Sequence, residues 1–406
     1  MVTINGREGR NRCPDTIAII GGGRWARVLT EVLCGLVPPS VEIFVHSRNN
    51  AELMSTWVSE RKFRQQVHVS SDWPESLPAE SSAVLVVNAA RDHERAVEMA
   101  LSIGAPVLVE KPITLSAAAT QRLADLAHSR NVHFAAAHIF LFARYLDRFS
   151  RLVADAGGAR CMRIEWTDPK NESRYGERKQ YDASLPVYLD WLPHVLSIAG
   201  TLAPSATQKC EKLELLKGGA HLVLELVLGD VPCSVKLIRN ADRRQRRIEV
   251  VTRGKTLQLD FSSEPGTITV DSKTINGDPD WDVKKRPAAR MLGAFLQWAA
   301  GGAFDSRLDV EVGLKANQVI DQVACMYREA IMPWLIARLA SQGPMDDDLH
   351  YALSEILQSE ASFSEVAVDR QIERVLQQFS GRIAAFWLRE LTEAHDPSMF
   401  FRSLAL

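Results

Sequence analysis

The sequence predicts an N-terminal α/β domain built on a doubly wound parallel sheet. A second, α+β domain with an open, mostly antiparallel sheet follows it, and then a C-terminal helical extension. Three observations carry that expectation. Up to about residue 136, short β-branched apolar runs alternate with helical stretches, the grammar of βαβ units with helices on both sheet faces. Beyond it the runs alternate apolar with polar residues, as strands with one covered face do. After the break Gln342-Gly343-Pro344-Met345-Asp346-Asp347-Asp348, only helical periodicity remains.

Residues 1 to about 13 are polar and read as a loose leader. Thr16-Ile17-Ala18-Ile19-Ile20 is a buried-type strand that ends on three glycines, and Trp25 to Leu36 follows as a helix. Val41–Val45 is a second strand, Ala51–Arg64 a helix, and Val67–Val69 a brief third strand. Ala83–Val87 is a strong central strand, and His93–Ile103 is a helix closed by Gly104. Pro106–Val109 and Val132–Ala136 complete the strands, separated by a helix from Ser116 to Arg130 that Ser116 is placed to cap. The first domain is thus expected over 14–136.

The second domain is expected over 137–340. Its strand-like runs are Cys161–Trp166, Cys210–Leu216, His221–Leu228, Val231–Ile238, Arg247–Thr252, Thr256–Phe261 and Thr267–Val270. Helices at about Ala143–Ala156, Pro186–Ala199, Ala288–Ala300 and Val310–Leu339 would cover the sheet. The cluster Arg243, Arg244, Arg246 and Arg247 lies between two strand runs and reads as a solvated hairpin tip. Residues 341–406 are expected as a helical extension, with periodicity through Leu349–Leu357 and Val366–Leu391.

Composition narrows the function. A net charge of -2 argues against nucleic-acid binding and against a polybasic membrane surface, which both need a basic face. The six cysteines are scattered, with no CxxC pair and no His partner at metal spacing, so no metal site is expected and the thiols fit a reducing compartment. No signal-peptide pattern and no run of membrane-spanning length is present, so the expectation is a soluble, cytoplasmic protein acting on a small molecule.

The triple glycine carries chemistry. Gly21-Gly22-Gly23-Arg24-Trp25-Ala26 fits G-x-G-x-x-G/A directly after a strand and opening a helix. Gly21 permits the tight turn, Gly23 lets a pyrophosphate approach the backbone, and Ala26 lets the helix pack closely; Arg24 and Trp25 sit in the first turn beside the anion. This is the fingerprint of a Rossmann dinucleotide-binding domain. A site for NAD places an acid at the end of the second strand to hold the ribose 2′-hydroxyl. Here that strand runs Phe44-Val45-His46-Ser47-Arg48-Asn49, and Ser47 and Arg48 would instead bond and neutralise a 2′-phosphate. The expected cofactor is NADP(H); the alternative is a solvated Arg48 and mixed specificity.

Glu110-Lys111-Pro112 lies at the C-terminal end of a parallel strand, where α/β sheets bind ligands, about 90 residues after the glycine turn. Pro112 leaves the preceding bond open to a cis form. This signature resembles that of the glucose–fructose oxidoreductase and inositol dehydrogenase (Gfo/Idh/MocA-type) family. The resemblance extends to Asn88-Ala89-Ala90-Arg91-Asp92-His93, of which only Asn88 and His93 match the family pattern, and to Leu189-Asp190-Trp191-Leu192-Pro193-His194. It covers roughly residues 15 to 335.

The resemblance implies that Lys111 bonds the reacting oxygen and the nicotinamide ribose, that His194 is the general acid/base, and that Asp190 orients substrate or biases His194. Asp190 and His194 are four apart, the spacing at which side chains share a helix face. Pro193 places the start of a helix near itself, which would leave both residues around its N-terminus. Asn88, His93 and Glu110 join the cofactor set, while His138 and Tyr188 are weaker substrate candidates and Tyr181 and Trp166 could line a pocket. The implied reaction is reversible hydride transfer at a C–OH or C=O carbon of a sugar, cyclitol or related molecule, in a homo-oligomer (dimer or tetramer). Two alternatives stand beside it: reduction of a C=N bond, and a non-catalytic NADP(H)-binding module whose tail forms a partner surface.

Overall fold

Thr16–Ile20 forms β1, buried along its whole length, as a central strand with helices on both faces must be. The protein is seen here as a computed structural model that describes residues 13–74, 77, 81–170, 172–174, 177–179, 185–204, 207–341, 343–358, 365–380, 384–394 and 396–405. Residues 1–12 of the anticipated leader and Tyr181 lie outside the described residues. From β1 the chain runs through α1 (Arg24–Leu36), β2 (Glu42–His46), α2 (Ala51–Glu60), β3 (Val67–Ser70) and β4 (Ser82–Val86). Then come α3 (His93–Ser102), β5 (Val107–Glu110), α4 (Ala117–Ser129) and β6 (Phe134–Ala137).

The six strands are all parallel in the order β3-β2-β1-β4-β5-β6, a doubly wound sheet. Ala18, Ile20, Val84, Val86, Val107 and Val109 pack on Ala96, Val97 and Ala100 of α3, and the small helix residues let strand and helix approach closely. Ser116 caps α4, its hydroxyl accepting the Ala119 N–H at 3.2 Å. α2 ends at Glu60, four residues short of the expected Arg64, because Arg61 takes extended backbone and its N–H returns to the Val58 carbonyl.

The chain continues as α5 (Arg144–Asp155), β7 (Cys161–Pro169), the small hairpin β8 (Glu172–Arg174) and β9 (Glu177–Lys179), and α6 (Val187–Leu202). Next are β10 (Gln208–Leu216), β11 (His221–Leu228), β12 (Val231–Ala241), β13 (Gln245–Val251), β14 (Thr256–Asp260), β15 (Thr267–Val270) and β16 (Lys273–Asn276). The helices α7 (Pro287–Ala299), α8 (Val310–Ala340), α9 (Asp347–Gln358), α10 (Glu365–Gln378), α11 (Ala384–Glu393) and α12 (Pro397–Ala405) complete it.

Two compact units result, Met1–Asp147 with Asp278–Gln318, and Arg148–Gly277 with Val319–Leu406. They differ from the three consecutive segments read from the sequence because the chain returns. In the first unit α7 buries Met291, Leu292 and Phe295 and packs on α1 and on the turn Ile139–Phe142. In the second, the tail folds back on its own chain: α9 packs on the turn Lys217–Gly219, and α10 on α9 and α12.

The second unit holds an eight-stranded sheet in the order β10-β11-β12-β7-β13-β14-β15-β16, with α6 laid on β11 and β12. Every pair is antiparallel except β7 with β12. β12 and β13 therefore form no hairpin, since β7 lies between them. The arginines between them are correspondingly not all solvated. Arg246 is buried, its Nη2 2.6 Å from the Asp168 carboxylate and its guanidinium 4.2 Å from the Trp166 ring centre. A cation can sit there because a charge partner and carbonyls satisfy it.

Candidate functional site

The glycine turn is built against its neighbours. Gly21 has φ +141°, and a Cβ on it would lie 2.7 Å from the Val87 carbonyl oxygen, so only glycine fits between the ends of β1 and β4. A Cβ on Gly22 would strike the Ser47 hydroxyl. Gly23 differs: its backbone is ordinary, and a Cβ there would meet nothing within 4 Å. The space in front of α1 is therefore open. No side chain caps α1 and no acid sits in its first turn, so its free N–H groups and positive dipole end face that space. Ala26 is fully buried beneath, while Arg24 and Trp25 are partly exposed in the first turn.

At the end of β2, Ser47 is buried and its hydroxyl accepts the Asn50 N–H at 3.2 Å, which leaves its own proton to donate. The Arg48 guanidinium lies 4.8 Å from the Trp73 ring centre, and Arg95 of α3 lies 5.3 Å from the same ring. Two cations thus share one indole where an NAD site would carry an acid. Arg95 and Trp73 escaped the sequence reading, since they lie on different segments and neither belongs to a motif.

Around β4 and β5 several residues do different work from the cofactor contacts expected of them. Trp25 donates its indole N–H to Glu110 at 2.6 Å, and the Lys111 N–H reaches the other carboxylate oxygen at 3.2 Å. Glu110 is buried, and burial pushes its carboxyl above the usual range. Trp25 and Glu110 thus tie α1 to β5. His93 is buried, with Nδ1 2.7 Å from the Pro112 carbonyl and Nε2 3.2 Å from that of Asn88. Burial pushes its proton affinity down against the pull of these two carbonyls, and a ring with a single N–H donates to only one of them. The bond from Lys111 to Pro112 is cis.

Asn88 is left in a distinct position. Its backbone is held by His93, yet both polar atoms of its side-chain amide are buried without a hydrogen-bond partner among the described residues. A buried amide without a partner carries an unmet hydrogen-bonding demand. His138 is another matter. It is 1% exposed, neither ring nitrogen has a hydrogen-bond partner among the described residues, and burial takes its pKa down to about 4. It lies behind Ile113, where a Cβ on Gly313 would come within 3.1 Å of its Nε2. The fold thus places the expected substrate contact His138 in the interior of the first unit.

In the second unit, α6 begins at Val187 with Pro186 as N-cap, so Asp190 and His194 lie within the helix rather than at a start near Pro193. Proline costs the helix one donor there, and burial on the sheet outweighs that loss. From Val187 to Ala199 every residue is buried except Asp190 and His194. Asp190 accepts from Arg239 Nη2 at 3.1 Å, and the His194 imidazole stacks on Trp166 at 5.7 Å and 18°. Tyr188 points elsewhere: it is buried on Tyr327 with ring centres 5.1 Å apart, and burial raises its phenol well above the usual range. The substrate candidate Tyr188 is thus packed in the core of the second unit.

An uncapped helix end behind a glycine turn, on a parallel sheet, defines a dinucleotide-binding protein. The family model described as "Oxidoreductase family, NAD-binding Rossmann fold" matches residues 16–138, the parallel-sheet domain. Solved structures share the fold. UDP-N-acetylglucosamine 3-dehydrogenase from Acidithiobacillus ferrooxidans is 19% identical with a TM-score of 0.60, over 77% of this chain and 97% of that one. A dehydrogenase from Clostridium difficile is 14% identical with a TM-score of 0.62, over 76% and 98%. A 3-ketoreductase from Actinomadura kijaniata in complex with NADP and TDP-benzene is 17% identical with a TM-score of 0.60, over 76% and 96%. No curated protein sequence matches this one. Among the described residues no group of His, Cys, Asp and Glu could hold a metal, and no helix is long and apolar enough to cross a membrane.

Proposed function

We propose that the chain is an NADP(H)-dependent dehydrogenase or reductase that transfers a hydride to or from a C–OH or C=O carbon of a sugar, cyclitol or related small molecule. The observation that carries this reading is the pair Asp190 and His194. A helix that buries every other side chain from Val187 to Ala199 presents these two alone, four residues apart. Asp190 also pairs with Arg239 and His194 stacks on Trp166, and an imidazole held one turn from a carboxylate suits proton transfer to an oxygen.

The bound nicotinamide supplies or accepts the hydride. The α1 N-terminus and the open face of Gly23 take the pyrophosphate, and the Asn88 amide takes a polar group of the cofactor. Arg48 and Arg95, with the Ser47 hydroxyl, neutralise a 2′-phosphate that an acid would repel. The Lys111 ammonium holds the negative charge that develops on the reacting oxygen. His194 gives that oxygen its proton on reduction and removes it on oxidation, and Asp190 sets the imidazole's charge and orientation. One of the structurally similar proteins is named for a sugar nucleotide, and another, a 3-ketoreductase, was solved with NADP.

Titration of the protein with NADPH and with NADH, followed by nicotinamide and tryptophan fluorescence, tests the first half. NADPH should bind at least ~10-fold tighter, and Arg48→Ala should erase most of that preference, as loss of a charge-assisted contact does. Tighter NADH binding would remove the 2′-phosphate reading. Binding of neither would remove the enzyme reading with it. With NADPH bound, a screen of keto-sugars and keto-cyclitols tests the second half: His194→Ala should abolish turnover while leaving NADPH affinity in place.

A further inference from the structure

Behind Asp190 lies a buried polar chain that the helical tail completes. Arg239 of β12 has 2% of its surface exposed and shares its guanidinium between two sides. Nη2 donates to Asp190 at 3.1 Å, and Nη1 donates to the Tyr351 hydroxyl of α9 at 3.0 Å. Tyr351 also hydrogen-bonds Glu355, one turn along α9, and Glu355 accepts the Tyr327 hydroxyl of α8 at 2.7 Å. Tyr351, Glu355 and Tyr327 are all buried. The Trp191 ring centre, 5.7 Å away, closes the guanidinium from α6.

The chain is also built to admit α9. Gly218 and Gly219 have φ of +61° and +94°. A Cβ on Gly218 would strike the Asp348 carbonyl at the start of α9, and one on Gly219 would strike the Tyr327 hydroxyl. The turn between β10 and β11 is therefore shaped around the tail and around the phenol that holds Glu355.

We propose that α9 belongs to the substrate half-site, with Tyr351 and Glu355 as positioning residues that act through Arg239 on Asp190. This rests on the reading that Asp190 and His194 serve the reaction. The physical logic is a shared cation. Arg239 answers to Tyr351 and Glu355 on one side and to Asp190 on the other. Weaken the α9 side and the guanidinium turns fully onto Asp190, whose carboxylate then does less for the imidazole one turn away. Among the described residues, the charged and titratable groups around this chain include Arg239 from β12, Asp190 and Tyr188 from α6, Asp321, Cys325, Tyr327 and Arg328 from α8, Tyr351 and Glu355 from α9, and Arg246 from β13, whose guanidinium lies 5.6 Å from the Trp191 ring centre.

The test follows the His194 imidazole by NMR as pH is varied, in the full chain without substrate, with the resonance assigned by His194→Gln. Tyr351→Phe keeps the ring and removes the hydroxyl; Glu355→Gln keeps the shape and replaces the carboxyl with an amide that cannot ionise. Both should lower the His194 midpoint by ~0.3 pH units or more, the size of a modest change in a nearby screened charge. Leu353→Ala thins the buried packing of the same helix without touching the chain, and should leave the midpoint in place. A midpoint fixed within ~0.1 unit in both polar variants would overturn the proposal, and so would an equal shift in Leu353→Ala. Failure of the catalytic reading looks different: His194→Ala would keep its turnover, whatever the titration shows.

Discussion

Glu355 should make the stability of the protein fall as pH rises through neutrality. Burial takes its carboxyl from an ordinary value of 4.5 up to about 7, against the opposing pull of Tyr327, Arg239 and Tyr351. The folded state therefore holds the proton more tightly than the unfolded one, and between the two values it binds more protons. Stability must then decline with pH across that window and level off on either side. The gap between 4.5 and 7 is about 2.5 pH units, at ~1.4 kcal/mol each, so the whole penalty is about 3 kcal/mol. Glu355→Gln carries no titrating group at that position, and apart from the small shift in His194 the other ionisations cancel in the comparison. Urea unfolding of both proteins, followed by circular dichroism from pH 5 to 8, should show the wild type losing about 2–3 kcal/mol relative to the variant. A difference that stays flat would mean that Glu355 is not desolvated. One that grows in the wild type's favour would mean that Arg239 holds it ionised.

Two further substitutions probe the frame of the site. Gly21→Ala forces a side chain into positive φ and onto the Val87 carbonyl, and should cost about 2–3 kcal/mol together with NADPH binding; a melting temperature equal to the wild type would refute the close approach. Asp168→Ala strips the buried Arg246 of its carboxylate and should cost about 3 kcal/mol in urea unfolding, more than removal of an exposed partner could. A loss under ~1 kcal/mol would mean that the Thr167 and Gln245 carbonyls satisfy the guanidinium alone.

The parallel domain was legible because its signals are local. The run Thr16–Ile20, the three glycines after it and the Ser116 cap each lie within a few residues, and the strands sit where the apolar runs placed them. Asp190 and His194 were legible as a pair because helical spacing is periodic. What escaped is long-range. Arg239 is 49 residues from Asp190 and 112 from Tyr351, so nothing in the local pattern joins them. The Arg243–Arg247 run read as solvent-facing because charge clusters usually are, and only the placement of β7 beside β13 buries Arg246. His93, Trp25 and Glu110 matched a motif, but the motif did not say which members face a ligand and which hold the others. Pro193 was weighed as a helix starter by its missing donor alone, whereas the sheet beneath α6 stabilises the helix through it.

The position of β7 also bears on how the second unit assembles. β10, β11 and β12 form one meander and β13 to β16 another, each closed by short turns between neighbours in the chain. Such meanders can zip early, since little chain entropy is lost in closing them. The strand that welds them comes from much earlier in the chain, so the sheet must wait for a non-local partner that pairs parallel on one side and antiparallel on the other. Its register is unforgiving: a slip by one residue would turn Trp166 and Asp168 together to the other face, removing both the platform under His194 and the counter-charge of Arg246. The slow step in forming this unit should therefore be the insertion of a single strand, and the half-site would be the last thing to appear.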